Sequence, residues 1–316
     1  MPQVRTYFER ALSEVDSLPP VSNVFNKIMD LTGESGGRRE ELIRCVSVDQ
    51  AIAAKVLQLI NSAYYGMRQT ISSLEVAVGL LGDRKIRDIA LMCASSGLLR
   101  SQIQGYGIPA DQFWLHSVTA AFAARLLANR LDPGLREAAF AVGLLHDVGK
   151  LVLDRLIEEP EQEKFWSAAG EMSPAYHTKE VSLYGFDHCT IGFFLARKWN
   201  FPENLTAAIA FHHYPDFDVA HRELIRVVCA AAALAHVIAM GTPDLGHLAT
   251  LEEEGRLPVE LSLEEIEAVI SELKAEVGET QSYLGLSWGS GGGALLAFFQ
   301  KNHEIRDFSA FTLFLS

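Results

Sequence analysis

Apolar residues recur along this chain at the spacing of an α-helix. In residues 51–60 they fall at i, i+4, i+7 and i+8, on one face of a helix that Asp49 can cap. Further on, Ser72 with Glu75 fits a capping box, and Gly82 fits the end of that helix. The alternating β-branched runs of strands do not occur. The pattern therefore predicts an all-α fold.

Glycine, proline and charge divide the chain into three predicted parts. A turn-rich segment separates a first helical group, residues 1–110, from a second group, residues 111–243. The third part, residues 244–316, is expected to hold an acidic helix, a glycine-rich connector and an apolar tail that packs on the body or binds a partner. Ten glutamates against one arginine and one lysine lie in 252–279, so we expect a solvated helix there.

Composition narrows the class of protein. With 316 residues, 49% of them hydrophobic and 21% charged, the chain is not generally disordered. A formal net charge of −13 without an evident basic face gives no strong nucleic-acid signal. The longest stretch of low charge, residues 227–241, is shorter than the ~20 apolar residues of a membrane span. We therefore expect a cytoplasmic protein that does not enter the membrane.

The four cysteines are far apart and form no CxxC pair, which argues against a zinc ribbon or a redox pair. They are predicted to be small buried thiols in a reducing compartment. They are Cys45, Cys93, Cys189 and Cys229.

A set of histidines with one aspartate carries the candidate chemistry. Its members are His116, His146, Asp147, His188, His212 and His213. Intervals of 24 to 41 residues separate its parts, so each ligand would come from a different helix end, as in sites between facing helices. Imidazole nitrogen and carboxylate oxygen suit divalent transition metals such as Fe, Mn or Zn.

A carboxylate such as Asp147 can bridge two ions that clamp a phosphate. Lys150 lies about one turn beyond His146 and is the candidate phosphate contact. The other histidines, among them His177 and His236, are predicted to be ordinary structural residues.

Several motifs, taken in order, resemble the HDOD family, the HD-related output domain of bacterial signalling. They are Leu18-Pro-Pro, residues 48–57, Asn61-Ser-Ala-Tyr-Tyr-Gly, Leu144-Leu-His-Asp-Val-Gly-Lys, Gly185-Phe-Asp-His, Trp199-Asn-Phe-Pro and His212-His. The resemblance covers about residues 18–240. It implies a two-part helical architecture whose second half is similar to HD phosphohydrolases. It also implies a regulatory role with signalling-protein partners, because the family is generally regarded as lacking hydrolase activity.

The chain departs from the related hydrolases at two positions. The resemblance implies a distal aspartate ligand on a late helix, where this chain has Ala232. Ligands of the HD-GYP phosphodiesterases match His188, His212 and His213, so a second metal position could survive with Asp147. The glutamate that follows the histidine pair in those enzymes is replaced by Tyr214. Cyclic dinucleotide hydrolysis therefore has little support.

Two classes of function stay open at this point. The first is a non-catalytic signal-transduction module with a degenerate HD site that can still bind a metal ion. The alternative is a metal-dependent phosphohydrolase acting on a nucleotide or phosphodiester. A domain that senses a nucleotide without hydrolysing it would use the same pocket.

Overall fold

The computed structural model describes residues 2–31, 39–62, 65–158, 176–217, 220–239, 255 and 257–284. These residues form α-helices with no β-strand among them, apart from an isolated bridge between Ile103 and Ile108. The predicted all-α fold class is confirmed.

Six helices precede the turn-rich segment. They are α1 (Pro2–Ser17), α2 (Asn23–Asp30), α3 (Arg39–Ser47), α4 (Gln50–Ile60), α5 (Leu74–Leu81) and α6 (Asp83–Leu99). The helices that follow are α7 (Ala110–Leu131), α8 (Arg136–Leu145), α9 (Lys150–Leu153), α10 (Tyr176–Tyr184), α11 (His188–Lys198), α12 (Glu203–Phe211), α13 (Arg222–Ala239) and α14 (Leu263–Leu284).

The first residues of α4 and α5 test the two capping residues predicted from the sequence. Asp49 accepts hydrogen bonds from the backbone N–H groups of Ala51 and Ile52 at 3.0 and 3.1 Å, so its prediction as the cap of α4 is confirmed. The cap of α5 is Ser73, one residue later than predicted. Both serines carry the same hydroxyl, but capping by Ser73 places buried Leu74 at the first helical position.

The side-chain amide of Asn61 gives the Asn61-Ser-Ala-Tyr-Tyr-Gly motif a structural role. The Asn61 amide donates to the Ile71 carbonyl and accepts from the Ile71 N–H, both at 2.7 Å. The same amide nitrogen also donates to the carbonyl of Leu57. Asn61 thus ties the end of α4 to the segment that leads into α5.

Helix α7 is the centre of the second half. Its side chains are buried on almost every face between Phe113 and Ala128, and it packs against α6, α8, α13 and α14. A helix that is apolar all round belongs in a core. The site described below is built around the first turns of this helix.

A buried ion pair joins α7 to its neighbours. The Arg125 guanidinium contacts the Asp88 carboxylate of α6 and lies 3.4 Å from the Glu276 carboxylate of α14. It also lies over the rings of Phe122 and Phe140, about 5 Å from each centroid. Burial raises the pKa of Asp88 to about 6 even though Arg125 opposes that shift.

The acidic helix α14 is solvated on one side only, so the prediction of a solvated helix is wrong for its other side. Its apolar residues recur at helical spacing and are buried against the body: Ile266, Val269, Ile270, Leu273 and Val277. Glu279 and Glu272 bind Lys85 and Arg130 at 2.8 and 2.6 Å. The predicted connector and apolar tail lie outside the described residues, and the domain limits stay predictions.

Helix α1 packs on the second half of the chain, although it opens the first. The rings of Tyr7 and Tyr184 meet edge to face with centroids 5.1 Å apart. The Lys198 ammonium donates to the carbonyls of Val15 and Leu18 at 2.7 and 3.0 Å, at the end of α1. A cation at that end is favourable because the terminal carbonyls carry partial negative charge.

The four cysteines are buried free thiols, as predicted. Within the described segments, none of the helices combines the length and the apolar character needed to cross a membrane.

The Arg125 network predicts a large stability effect. Arg125→Met leaves the Asp88 carboxylate buried without its partner charge, so we expect a loss of about 3–5 kcal/mol in unfolding free energy, measured by urea denaturation. Arg5→Met removes an exposed ion pair with Glu9 and should cost less than about 0.5 kcal/mol. Equal effects of the two substitutions would contradict the structural role of the buried pair.

Candidate metal centre

The structure brings four of the predicted histidines within 4 Å of the Asp147 carboxylate, and the fifth, His213, lies against two of them, His188 and His212. His116 lies in the second turn of α7, and His146 with Asp147 forms the turn between α8 and α9. The first residue of α11 is His188, and the His212–His213 pair directly follows α12. Asp147 is 3% exposed.

One oxygen of Asp147 faces the first pair of histidines. Its Oδ2 lies 3.4 Å from Nε2 of His116 and 3.4 Å from Nε2 of His146, and those nitrogens are 3.2 Å apart. Two tetrahedral ligands held about 2.0–2.1 Å from an ion are themselves about 3.3–3.4 Å apart. The three atoms therefore have the spacing of three ligands on one face of a metal site. We call His116, His146 and Asp147 the first group.

The other oxygen of Asp147 faces a second set of side chains. Its Oδ1 lies 3.2 Å from Nε2 of His188 and 3.8 Å from Nε2 of His212, and those nitrogens are 3.3 Å apart. The His213 ring lies against His212, with centroids 4.3 Å apart. Cys189 joins them, and the ligand atoms of His188, Cys189, His212 and His213 all lie within 4.8 Å of one another. These four residues are the second group.

Hydrogen bonds on the far side of three rings orient them toward the centre. Nδ1 of His146 lies 2.8 Å from the Gly143 carbonyl, and Nδ1 of His212 lies 2.9 Å from that of Ile209. Nδ1 of His188 lies 2.6 Å from a Glu180 oxygen. A neutral ring that donates through Nδ1 has its lone pair on Nε2, on the side of Asp147. Two such lone pairs that face each other, as at His188 and His212, repel unless a proton or a metal ion lies between them.

The charges of the ion-free site follow from the same contacts. Burial lowers the pKa of His146 to about 4, so this ring is neutral near pH 7. Burial opposes the charge on Asp147, yet neighbouring His146 and Lys150 hold its pKa well below the ordinary value. Burial also opposes protonation of His188, but the Glu180 carboxylate raises its pKa well above the ordinary value. A proton on His188 thus supplies positive charge at the second group.

Sequence reasoning missed Glu180, which no motif marks. This carboxylate is fully buried and accepts hydrogen bonds from the Tyr106 hydroxyl at 2.8 Å and from the His188 backbone N–H at 2.7 Å. A carboxylate behind a histidine fixes the ring and raises its basicity as a ligand.

Lys150 contacts Asp147 directly. Its ammonium lies 2.6 Å from Oδ2, the oxygen that faces His116 and His146, and the residue is 8% exposed. The Tyr176 ring covers it at 5.7 Å. The ammonium therefore already compensates the charge of the first group. Its predicted role as a phosphate contact stays a prediction.

A cavity of about 790 Å³ opens onto the first group. Ala232 of α13 lines it together with His116 and His146. Among the described residues, no further His, Cys, Asp or Glu joins the first group as a ligand. The cavity's other carboxylate, Asp216, has a side chain that is 91% exposed and lies 3.8 Å from Arg226.

Comparison with known proteins places this site in a family. The sequence model of the HDOD domain matches residues 18–215, more than half of the chain. The chain belongs to the HDOD family. An uncharacterized protein of Treponema pallidum (strain Nichols) is 25% identical over 219 residues, which are 69% of this chain. The chain spans only 42% of the length of that relative.

Solved structures share the fold. An HDOD domain protein of unknown function from Geobacter sulfurreducens is 22% identical, with a TM-score of 0.65 over 90% of this chain and 98% of the other. A protein from Marinobacter aquaeolei VT8, provisionally named a signal transduction protein, is also 22% identical. Its TM-score is 0.63 over 93% of this chain and 66% of the other. At this identity the likeness establishes the fold alone.

Glycines let the helices of this HDOD protein approach closely enough to form the site. A Cβ on Gly149 would lie 2.0 Å from the His188 carbonyl oxygen and 2.8 Å from the Gly192 nitrogen. A Cβ on Gly143 would lie 2.7 Å from the Ala120 carbonyl oxygen of α7. The bare backbone at Gly149 thus brings the Asp147 turn against α11, and Gly143 brings α8 against α7.

Tyr214 has a structural role at the position where the related phosphodiesterases have glutamate. Its hydroxyl donates to Asp187 at 2.7 Å. Asp187 in turn caps α11 by accepting from the Thr190 N–H at 2.9 Å. Tyr214 therefore supports the helix start that presents His188.

Two residues predicted to be ordinary structural histidines border the site. The rings of His177 and His213 stack with centroids 4.3 Å apart and an interplanar angle of 15°. His177 and His236 both line the cavity. Their separation along the chain gave no signal of this proximity.

We predict that Gly149→Ala destabilises the protein by at least about 3 kcal/mol, because the added methyl group would overlap backbone atoms that cannot move separately. Gly278→Ala is the matched control, since the methyl group would meet nothing within 4 Å in the exposed middle of α14. It should leave stability unchanged or raise it by up to about 1 kcal/mol. Chemical denaturation measures both. A Gly149→Ala protein as stable as wild type would show that α9 and α11 do not approach as described.

Proposed function

We propose that this HDOD protein is a non-catalytic signal-transduction module whose degenerate HD site still binds a divalent transition-metal ion. The observation that carries the proposal is the incomplete first group. Three ligand atoms have metal-site spacing there, and the methyl group of Ala232 borders the same cavity. A methyl group cannot coordinate an ion.

The residues of the first group also weaken it as a catalytic site. A divalent ion bound beside a phosphate can lower the pKa of a coordinated water, which is the chemistry that hydrolysis needs. Here the Lys150 ammonium lies on the Asp147 oxygen that would be a ligand. Its positive charge reduces the attraction of Asp147 for a second cation at that oxygen.

The second group keeps the capacity to bind an ion. Three of its four ligands are buried, His213 is half-buried, and the ring of His188 is oriented by Glu180. An ion there would stabilise the contact between the start of α11 and the end of α12. The provisional name of the Marinobacter aquaeolei VT8 structure supports a signalling role, in which proteins are the partners of the helical body.

The cavity favours a second candidate, a metal-dependent phosphohydrolase acting on a nucleotide or phosphodiester. Its volume of about 790 Å³ is that of a small-molecule pocket, and it exposes His116, His146 and Asp147 to a ligand. Nucleotide binding without hydrolysis would use the same walls. Turnover separates the two candidate functions.

The direct test is an assay of the purified full chain against nucleotides and model phosphodiesters, with Mn²⁺, Fe²⁺ or Mg²⁺ added. We expect no turnover above the rate without protein. Turnover that disappears in Asp147→Ala would contradict the non-catalytic proposal and favour the phosphohydrolase.

Ala232→Asp tests why the first group is incomplete. The new carboxylate would supply the missing ligand, so we expect the variant to bind about one more equivalent of divalent metal than wild type in elemental analysis. Ala232→Asn is the matched control, because an uncharged amide of the same size is a weaker ligand and should give no gain. The account would fail if wild type already held two equivalents.

A further inference from the structure

We propose that His188, Cys189, His212 and His213 form a closed site for a zinc-class ion in which the Cys189 thiolate is a ligand. This inference rests on the proposed function and assigns the class of metal and the ligand set of its remaining site. Cys189 belongs to none of the motifs that predicted the histidines.

The placement of the four residues is that of two adjacent pairs on two packed helices. His188 and Cys189 begin α11, and His212 and His213 directly follow α12. The Cys189 sulfur lies 3.6 Å from Nδ1 and 3.8 Å from Nε2 of His212, and that Nε2 is 3.3 Å from Nε2 of His188. Zinc bonds are about 2.3 Å long to sulfur and about 2.0–2.1 Å long to nitrogen. In a tetrahedral site a sulfur and a nitrogen ligand are therefore about 3.6 Å apart, and two nitrogen ligands are about 3.3 Å apart. Because Nδ1 of His212 is engaged with the Ile209 carbonyl, the Cys189 side chain must turn toward Nε2 to share an ion with that ring.

Burial encloses three of the four ligands of this site. His188 and His212 are fully buried, and Cys189 is 1% exposed. His213 is half-buried at the wall of the cavity, and the His177 ring stacks on one of its faces. Four protein ligands fill a tetrahedral shell and leave no position for water or substrate, which is the arrangement of structural zinc sites. A closed second group agrees with a protein that signals without catalysis.

Sulfur determines which metals the site prefers. Thiolate is a soft ligand that favours zinc-class ions over Mn²⁺ and Mg²⁺, whereas the first group offers only nitrogen and oxygen. On binding, metal bonds form to the Cys189 sulfur and to Nε2 of His188, and both the thiol proton and the extra proton of His188 are released to solvent. The buried Glu180 carboxylate behind His188 adds negative charge next to the bound cation.

Reconstitution of the full-length protein with Co²⁺ tests the sulfur ligand directly. We expect a thiolate-to-cobalt charge-transfer band in the near ultraviolet for wild type, and its loss in Cys189→Ser. Cys229→Ser is the matched control: Cys229 is also buried and lines the cavity, but it is not in the second group, so the band should persist. Zinc affinity, measured by competition with a chelator, should fall at least about ten-fold in Cys189→Ser only.

X-ray absorption of the zinc-loaded wild-type protein identifies the ligand atoms without any substitution. We expect one sulfur at about 2.3 Å and three nitrogens at about 2.0–2.1 Å. A shell of nitrogen and oxygen only, or a cobalt band that survives Cys189→Ser, would overturn the inference and leave Asp147 as the fourth ligand. Phosphodiester turnover would instead overturn the proposed function, even with the sulfur ligand present.

Discussion

The Asp147 carboxylate is the contact on which the rest of the site depends. Each of its oxygens faces a different pair of histidine nitrogens, and these come from four separate places in the chain. A carboxylate in such a buried position is stable because the Lys150 ammonium lies on one of its oxygens and the protonated His188 ring on the other. The helices α7, α8, α11 and α12 are therefore held around a single negative charge. Glycine at position 149 permits the approach of the Asp147 turn to α11, and Gly143 permits that of α8 to α7.

The two sides of Asp147 have different chemistry. On one side, the first group offers only three ligands, and Ala232 borders the cavity beside them. The Lys150 ammonium there lies on the Asp147 oxygen that faces His116 and His146. On the other side, three imidazoles and a thiol place their ligand atoms within 4.8 Å of one another, and a buried glutamate orients the His188 ring. The open side resembles a catalytic centre that has lost a ligand, whereas the closed side has the features of a structural metal site. The proposed signalling role rests on this difference.

Much of this arrangement could be predicted from the sequence, because helix caps and apolar spacing are local patterns and the histidine motifs follow one another in a recognisable order. Helical spacing and the Asp49 cap predicted α4, and the order of the histidine motifs predicted Asp147 and the four histidines that contact it. Contacts between distant elements had no such signal. Glu180 lies in no motif, and only the turn of the chain between α10 and α11 brings it behind His188. The buried side of α14 was missed because its glutamates dominate the local charge, although its apolar residues recur at helical spacing.

The most direct test of this asymmetry is anomalous diffraction from crystals of the zinc-loaded protein at the zinc absorption edge. The account predicts one strong peak enclosed by the ligands of the second group and no comparable peak beside Ala232. Two peaks of equal strength that share Asp147 would contradict it, because the first group would then be a complete metal site.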